Sequence, residues 1–303
     1  MELRNIETFL SIVEYGTFSK AAERLGYSQS AVTVQIRQLE NELGVRLFDR
    51  ASRGVRLTDP GRAFAFHANE VMGAVRSARD AASLGREGPK DVRGAIRLGS
   101  VESVSTALLP DLLIEFHERC PHVQVIVSTD RREDMVAGLA SNAIDLLLTM
   151  ERHVCLGGID CEVLREERVA FLASPTFLRE WGVEPDAPLT AADLALMPFV
   201  LTERGESYRL ELDRLLADRD VAIEPLVEAG NTETLVHLAE RGVGATFVPR
   251  FSAARELAAG TLVEVCADLP EVTMETQMLR HARKWVAPHL AEFIETTRAY
   301  FSR

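Results

Sequence analysis

FLSIVEYGTFSKAAERLGYSQSAVTVQIRQLENELGVRLFDRASRGVRLTDPG, residues 9–61, decides the fold of the N-terminal end. Ile6, Phe9, Leu10 and Val13 recur at helical spacing until Gly16 interrupts them, so residues 3–15 read as a short amphipathic helix. Thr17 is placed to cap a second helix, in which Ala21, Ala22 and Leu25 form the packed side and small alanines allow close approach. Gly26-Tyr27 then supplies a tight turn. Ser28 caps a third helix whose Val32, Ile36, Leu39 and Leu43 make a buried stripe.

The opposite face of that third helix carries the chemistry. Gln29, Ser30, Thr33 and Arg37 lie together there, short or fork-shaped side chains suited to hydrogen-bonding base edges and phosphates. A face built for solubility alone would show Glu and Lys, whereas Glu40 and Glu42 are held back to the C-terminal end. After Gly44, apolar Leu47 and Phe48, a turn at Ser52-Arg53-Gly54, and Val55 and Leu57 in alternation predict a small β-hairpin, or wing. Arg50, Arg53 and Arg56 flank its tip, where guanidinium groups enter a minor groove or clamp phosphates.

Charge is distributed in keeping with this reading. The formal net charge is −12, yet residues 1–90 hold 13 Lys+Arg against 11 Asp+Glu, leaving 21 against 35 in residues 91–303. Five arginines fall between Arg46 and Arg62 against only Asp49 and Asp59, a local concentration suited to phosphates.

Over its whole length this stretch resembles the DNA-binding module of LysR-type transcriptional regulators. The resemblance rests on Gly16 to Phe18, Ala21-Ala22, Ser28-Gln29-Ser30-Ala31, Ile36 to Glu40, Leu43-Gly44, Leu47 to Arg50 and Leu57 to Gly61. It implies that the helix carrying Gln29, Ser30 and Thr33 lies in the major groove and that Arg53 contacts the minor groove. Val34 stands where that family often has arginine, which suggests an apolar touch on a thymine methyl in place of a polar contact. The DNA-contacting set is therefore Ser28, Gln29, Ser30, Thr33, Val34, Arg37, Arg50, Arg53 and Arg56 within a domain of residues 1–58.

A long helix is expected to start at Thr58-Asp59-Pro60 and to run to about Leu84, followed by a hinge at residues 85–90. Phe64, Ala68, Val71, Val75, Ala78 and Ala82 repeat at the heptad spacing of a seam between two helices. The resemblance implies the same element, a linker helix (residues 59–90 with its hinge) that pairs two subunits antiparallel.

From Val92 onward strands and helices alternate: strands near 95–99, 123–128 and 145–149, with helices near 106–119 and 133–141. A second set has strands near 169–173, 199–201 and 226–228 and helices near 207–216 and 233–241. The alternation predicts an α/β domain on a largely parallel sheet, with two lobes joined by crossings near Arg165 and Ala267. Lobe I then comprises residues 91–164 and 268–303, and lobe II residues 165–267. Ligands of open α/β sheets bind at the carboxyl ends of strands, near helix N-termini. Ser100, Glu102, Ser103, Thr129, Thr149, Thr202, Glu203, Asn231 and Thr232 fall at such places and are the candidate cleft residues. This region also resembles the LysR-type effector domain, in Leu108-Leu109-Pro110, Ile144-Asp145-Leu146 and GNTETLVHLAERGVGATFVP, residues 230–249. The resemblance implies a fold like that of type II periplasmic binding proteins and effectors that are often carboxylates or aromatic acids. Glu102 would oppose a carboxylate placed beside it, so a ligand with an amino or hydroxyl group is equally consistent.

Enzyme readings lack parts. Gly242-Val243-Gly244 follows a helix and leads into a strand, the reverse of a dinucleotide fingerprint. The seven histidines show no H-E-x-x-H, His117 and His122 are separated by a helix end, no G-x-S-x-G occurs, and no metal or cofactor is expected. Cys120, Cys155, Cys161 and Cys266 form no C-x-x-C pair and read as reduced thiols, with a redox role for Cys155 and Cys161 the less favoured reading. The N-terminus has no apolar h-region and no run reaches 18 apolar residues, so a cytoplasmic protein is expected. An exported solute-binding protein would have no use for residues 1–60, and an enzyme with an accessory DNA-binding domain would need a catalytic constellation. The expectation is a homotetrameric regulator, a dimer of dimers, that binds an interrupted palindrome in double-stranded DNA. It answers to a small-molecule effector, carboxylate or amino acid-like, and contacts RNA polymerase if it activates.

Overall fold

A computed structural model describes residues 1–50, 55–82, 88–152, 156–184 and 187–303, apart from the Arg50 side chain. The expected turn at Ser52-Arg53-Gly54, the linker end at Leu84 and Cys155 lie outside these residues. The chain divides into two compact units, Met1–Arg86 with Ala137–Ile144, and Glu87–Val136 with Asp145–Arg303. No helix among the described residues is long and apolar enough to cross a membrane.

The first unit begins with α1 (Leu3–Tyr15), α2 (Phe18–Leu25) and α3 (Gln29–Leu43). The starts are set by caps: Thr17 Oγ1 accepts from Lys20 N at 3.2 Å and Ser28 Oγ from Ala31 N at 3.2 Å. Each satisfies an amide that the helix itself leaves unpaired. The α2–α3 turn needs Gly26, whose φ of +70° lies in the left-handed region that a β-carbon disfavours. Ile6, Phe9 and Ile12 of α1, Ala21 and Ala22 of α2, and Val32, Ile36 and Leu39 of α3 close over one core. Strands β1 (Phe48–Arg50) and β2 (Val55–Leu57) pair antiparallel, with Asp49 opposite Arg56. Phe48 joins the core by stacking on Phe9, with ring centroids 5.1 Å apart.

Helix α4 (Asp59–Ala82) follows. Thr58 Oγ1 accepts from Gly61 N at 3.0 Å and donates to Arg46 O at 2.7 Å, so one hydroxyl caps the helix and ties it to the segment before β1. The expected seam is divided in two. Ala68 is buried in the core of its own domain, and Phe64 meets Phe9 edge-on at 5.0 Å, so both are committed within the subunit. Val71, Ala78 and Ala82 are exposed and Val75 is half-buried, so within the subunit these four are not committed to the core as Ala68 and Phe64 are.

The second unit contains β3 (Gly94–Ser100), α5 (Glu102–Ala107), α6 (Leu109–Arg119), β4 (Val123–Ser128), the start of α7 (Arg132–Ala140, whose residues from Ala137 are grouped with the first unit) and β5 (Leu146–Glu151). The single helix expected over 106–119 is two, broken at Leu108; Pro110 sits in the first turn of α6, where its missing amide costs nothing. There follow β6 (Ile159–Ala173), α8 (Pro175–Glu180), α9 (Ala191–Leu196), β7 (Val200–Leu201), α10 (Ser207–Ala217), β8 (Val227–Glu228) and α11 (Thr232–Glu240). The chain ends with β9 (Thr246–Pro249), α12 (Ala254–Ala259), β10 (Val263–Glu264), β11 (Val272–His281) and α13 (Pro288–Phe301).

The main sheet has the order β10-β6-β11-β5-β3-β4, with β9 also on β6, and it is mixed. Only β3–β4 and β3–β5 are parallel, whereas β11–β5, β11–β6, β6–β9 and β6–β10 are antiparallel, which corrects the expectation of a largely parallel sheet. The difference lies in β6 and β11, two long strands that run side by side from lobe to lobe. Their register shifts between Thr276 and Gln277, opposite Arg165 and Val163, a local irregularity of the kind that bends paired strands. Ala267 is still bridged to Leu189 in the second lobe, so the return runs along β11 and not at residue 267.

Candidate DNA interface and effector cleft

Helix α3 buries Val32, Ile36 and Leu39 and turns Ser28, Gln29, Ser30, Val34 and Arg37 to solvent, with Thr33 half-buried. Val34 is 60% exposed, an apolar side chain in the middle of a polar face with nothing in its own domain to cover it. Gln29 is held in place: Ser19 Oγ of α2 donates to its Oε1 at 3.1 Å, which fixes the amide and leaves Nε2 as its donor. Thr33 Oγ1 donates to Gln29 O at 2.8 Å, and the Ser28 and Ser30 hydroxyls lie 2.9 Å apart. Ser19 was missed by sequence reasoning, because its role depends on the crossing of two helices and not on any spacing within one.

The wing is anchored from the same helix. Glu40 Oε1 accepts from Leu47 N at 2.8 Å and Phe48 N at 3.4 Å, so a carboxylate unfavourable at a helix C-terminus is offset by two backbone amides. Arg56 is exposed on β2, Arg50 contributes its backbone to β1, and Arg53 lies outside the described residues.

In the second unit the structure brings together three of the nine expected cleft residues. Glu102, in the first turn of α5, reaches the start of α11: its Oε2 accepts from Thr232 N at 3.0 Å and Thr232 Oγ1 at 2.5 Å, and its Oε1 from Asn231 Nδ2 at 3.0 Å. Asn231 is at the same time the cap of α11, its Oδ1 accepting from Thr234 N at 2.8 Å. Tyr208 of α10, absent from the expected set, sets its hydroxyl 3.2 Å from Thr232 Oγ1, and burial pushes that phenol well above its ordinary value. Ser207, also missed, donates to Met150 O at 2.9 Å. The rule that polar groups gather at helix N-termini applies to α10 as it does to α11 and would have found both.

The other candidates are less convergent. Thr149 is buried and donates to Glu151 Oε1 at 3.1 Å, whose other oxygen pairs with Arg132 Nε at 2.6 Å. Thr129 is exposed and donates to Ser105 Oγ at 3.4 Å, and Ser100 donates to its neighbour Val101 O at 3.2 Å. Ser103 and Thr202 are buried, and Glu203 is exposed near Gly230. Electrostatically the cleft is acidic: the Glu206 carboxyl is raised above its ordinary value by burial first, then by the nearby charges of Glu203, Glu133 and Glu102.

Elsewhere, a cavity of about 450 Å³ lies against β6, β10 and β11, lined by Arg168, Phe171, Phe247 and Cys266 among others. Its charged lining is already paired within the cavity wall, Arg168 with Glu264 and Glu271. Among the described cysteines, Cys120 is buried with its thiol pushed up by burial, Cys161 donates to Gln277 Oε1 at 3.0 Å, and Cys266 is exposed.

Residues 89–302 match the model of the LysR substrate binding domain, and residues 3–62 that of the bacterial regulatory helix-turn-helix of the lysR family. The chain belongs to the LysR family. It is a LysR-type transcriptional regulator, with a helix-turn-helix DNA-binding domain and a substrate-binding effector domain. It is 28% identical over 307 residues to the HTH-type transcriptional regulator YwqM of Bacillus subtilis (strain 168), covering 99% of this chain and 100% of that one. It is 28% identical over 298 residues to the HTH-type transcriptional regulator SoxR of an Arthrobacter species, covering 98% and 96%. Among solved structures, a full-length OxyR variant from Pseudomonas aeruginosa shares the fold with a TM-score of 0.74 at 20% identity over 99% of this chain and 94% of that one. Full-length CbnR in complex with its target DNA superposes with a TM-score of 0.65 at 23% identity, over 99% and 100%. These LysR-type neighbours share the two-lobed α/β effector domain.

Proposed function

We propose that α3 lies in the major groove of an interrupted palindromic operator, with Gln29, Ser30, Thr33 and Val34 on base edges and Ser28, Arg37 and the wing arginines Arg50, Arg53 and Arg56 on phosphates or the minor groove. The observation that carries this reading is the outer face of α3, where Ser19 orients the Gln29 amide beside an exposed valine that no residue of the domain covers. An amide held in one orientation can make a bidentate contact to adenine, and a bare valine suits a thymine methyl. The protein acts by binding and not by catalysis, in the cytoplasm, where it meets chromosomal DNA.

The second unit supplies the response. A small molecule enters between the lobes near Ser100, Ser103, Thr202 and the Glu102–Thr232 contact, and changes how subunits paired through the exposed part of α4 present their recognition helices. A dimer of dimers would place paired helices one helical turn, or a multiple of it, apart. RNA polymerase is a further partner if the outcome is activation. The test is a mobility-shift titration on the intergenic DNA beside its own coding region at several salt concentrations. Wild type should bind with a steep salt dependence, and Arg37→Ala should reduce the log–log slope by about 1. An unchanged slope would remove Arg37 from the interface, and equal effector affinity with and without operator would reject the coupling.

A further inference from the structure

The Glu102 carboxylate accepts four hydrogen bonds, three of them from the first turn of α11 and the fourth from Thr106 Oγ1 at 3.0 Å. All four donors are neutral, and among the described residues no lysine or arginine pairs with Glu102. What compensates its charge is the N-terminal end of a nine-residue helix, together with an amide, two hydroxyls and the Tyr208 hydroxyl behind Thr232. That is the arrangement by which an open α/β sheet receives the carboxylate of a ligand. Here the place is taken by the protein's own side chain, reaching across 130 residues of sequence from the opposite wall of the cleft.

We propose that Glu102 is an internal ligand, a tethered carboxylate that fills the anion seat at the start of α11, latches α5 to α11 and excludes free carboxylates from that seat. The proposal rests on the reading of this cleft as the effector site and specifies which ligands it refuses. A tethered group competes at an effective concentration of about millimolar or above, so a small carboxylate that binds weakly by itself cannot displace it. The carboxylates of Glu203 and Glu133, which together with Glu102 raise the carboxyl of Glu206, oppose any second anion brought alongside. Effectors that act here therefore either present a hydrogen-bond donor to Glu102 and leave the latch closed, or pull Glu102 away from α11 and open it.

The test uses the full chain as wild type, Glu102→Ala and Glu102→Gln, titrated with sodium acetate at ionic strength held constant with chloride. Amide hydrogen exchange over residues 229–236 and thermal unfolding by tryptophan fluorescence are the two readouts. Removing the carboxylate should make the Thr232 amide exchange roughly tenfold faster in Glu102→Ala, and acetate should restore the protection and raise the melting temperature saturably. Wild type should show neither response. Glu102→Gln, which fills the space without the charge, should exchange faster than wild type and ignore acetate. If both variants exchange as wild type does, or if acetate acts on wild type as it does on Glu102→Ala, the latch does not exist. Should Glu102→Ala fail to fold, Glu102→Gln decides: exchange equal to wild type overturns the proposal. Operator binding by the same samples reads the regulator assignment separately, since it does not depend on whether acetate finds a seat.

Discussion

Gly61→Ala in the first turn of α4 sets helix propensity against packing. Alanine favours a helix interior over glycine by about 1 kcal/mol, so propensity alone predicts stabilisation. The site predicts the reverse. A β-carbon on Gly61 would overlap the Leu47 carbonyl oxygen and lie 3.0 Å from the carbonyl carbon and 3.1 Å from Leu57 Cδ2. Carbon–carbon contacts are most favourable at about 3.5–4.0 Å, so α4 must retreat from the wing by on the order of 1 Å. The neighbour that must yield is backbone, pinned by Thr58 N to Leu47 O at 3.0 Å and by Glu40 on the Leu47 amide. Overpacking costs about 1–3 kcal/mol, and with backbone as the blocking group the upper end applies, so after the propensity gain of about 1 kcal/mol a net loss of about 2 kcal/mol remains. For a domain of this size that is a fall of roughly 10 °C in melting temperature. The chain offers an internal control: its two tryptophans, Trp181 and Trp285, both belong to the second unit, so their fluorescence melt should be unchanged. Exchange of the α1 and α3 amides, which sit over the affected core, should accelerate at the same time. A variant whose α1 amides exchange as slowly as wild type would refute the close-approach argument.

Glu40→Ala strips the acceptor from the Leu47 and Phe48 amides. A loss of about 1 kcal/mol in the first unit is expected, the unpaired donors outweighing the relief at the helix terminus, with faster exchange at residues 47 and 48 as the measurement. Val71→Asp places a charge on the exposed part of α4 and should convert dimers to monomers in analytical sedimentation; intact dimers would remove that helix face from the interface. Burial pushes the Glu167 carboxyl above its ordinary value of 4.5, with Arg165 and Thr276 opposing in part. The protonated form is then the one the fold favours: its contribution is complete below the ordinary glutamate range and is lost as pH rises through the raised value. Glu167→Gln should accordingly be more stable than wild type at pH 7 and lose that advantage toward pH 4, as read by urea denaturation at both; a constant difference would point to packing instead.

The N-terminal unit was legible because its signals are local. Thr17 and Ser28 act as caps where expected, Val32, Ile36 and Leu39 are buried where a 3.6-residue period puts them, and the β1–β2 ladder follows the alternation of the wing. What escaped depends on tertiary contact. Ser19 matters only because α2 crosses α3, and Ala68 matches a heptad seam in sequence yet is spent on its own core, since a single helix stripe can face either a partner or its own domain. In the second unit the parallel β3, β4 and β5 announced themselves, whereas β6 did so only over its last residues, 169–173, and β11 not at all. The middle of β6 is Arg165-Glu166-Glu167-Arg168, charges that obscure a strand's alternation, and β11 buries Thr276 and Gln277, residues that a sequence reading assigns to the surface. Glu102 was placed in the cleft by its position after β3, but no spacing reveals that its partners are Asn231 and Thr232.

The central claim is that the outer face of α3 reads base edges. The most direct test is selection of operators from a randomised duplex library by wild type and Gln29→Ala, followed by sequencing of the bound pools. The account predicts that Gln29→Ala loses its preference at one position in each half-site, at a cost of about 1–3 kcal/mol, and keeps the rest of the motif. Identical preference profiles for the two proteins would contradict it.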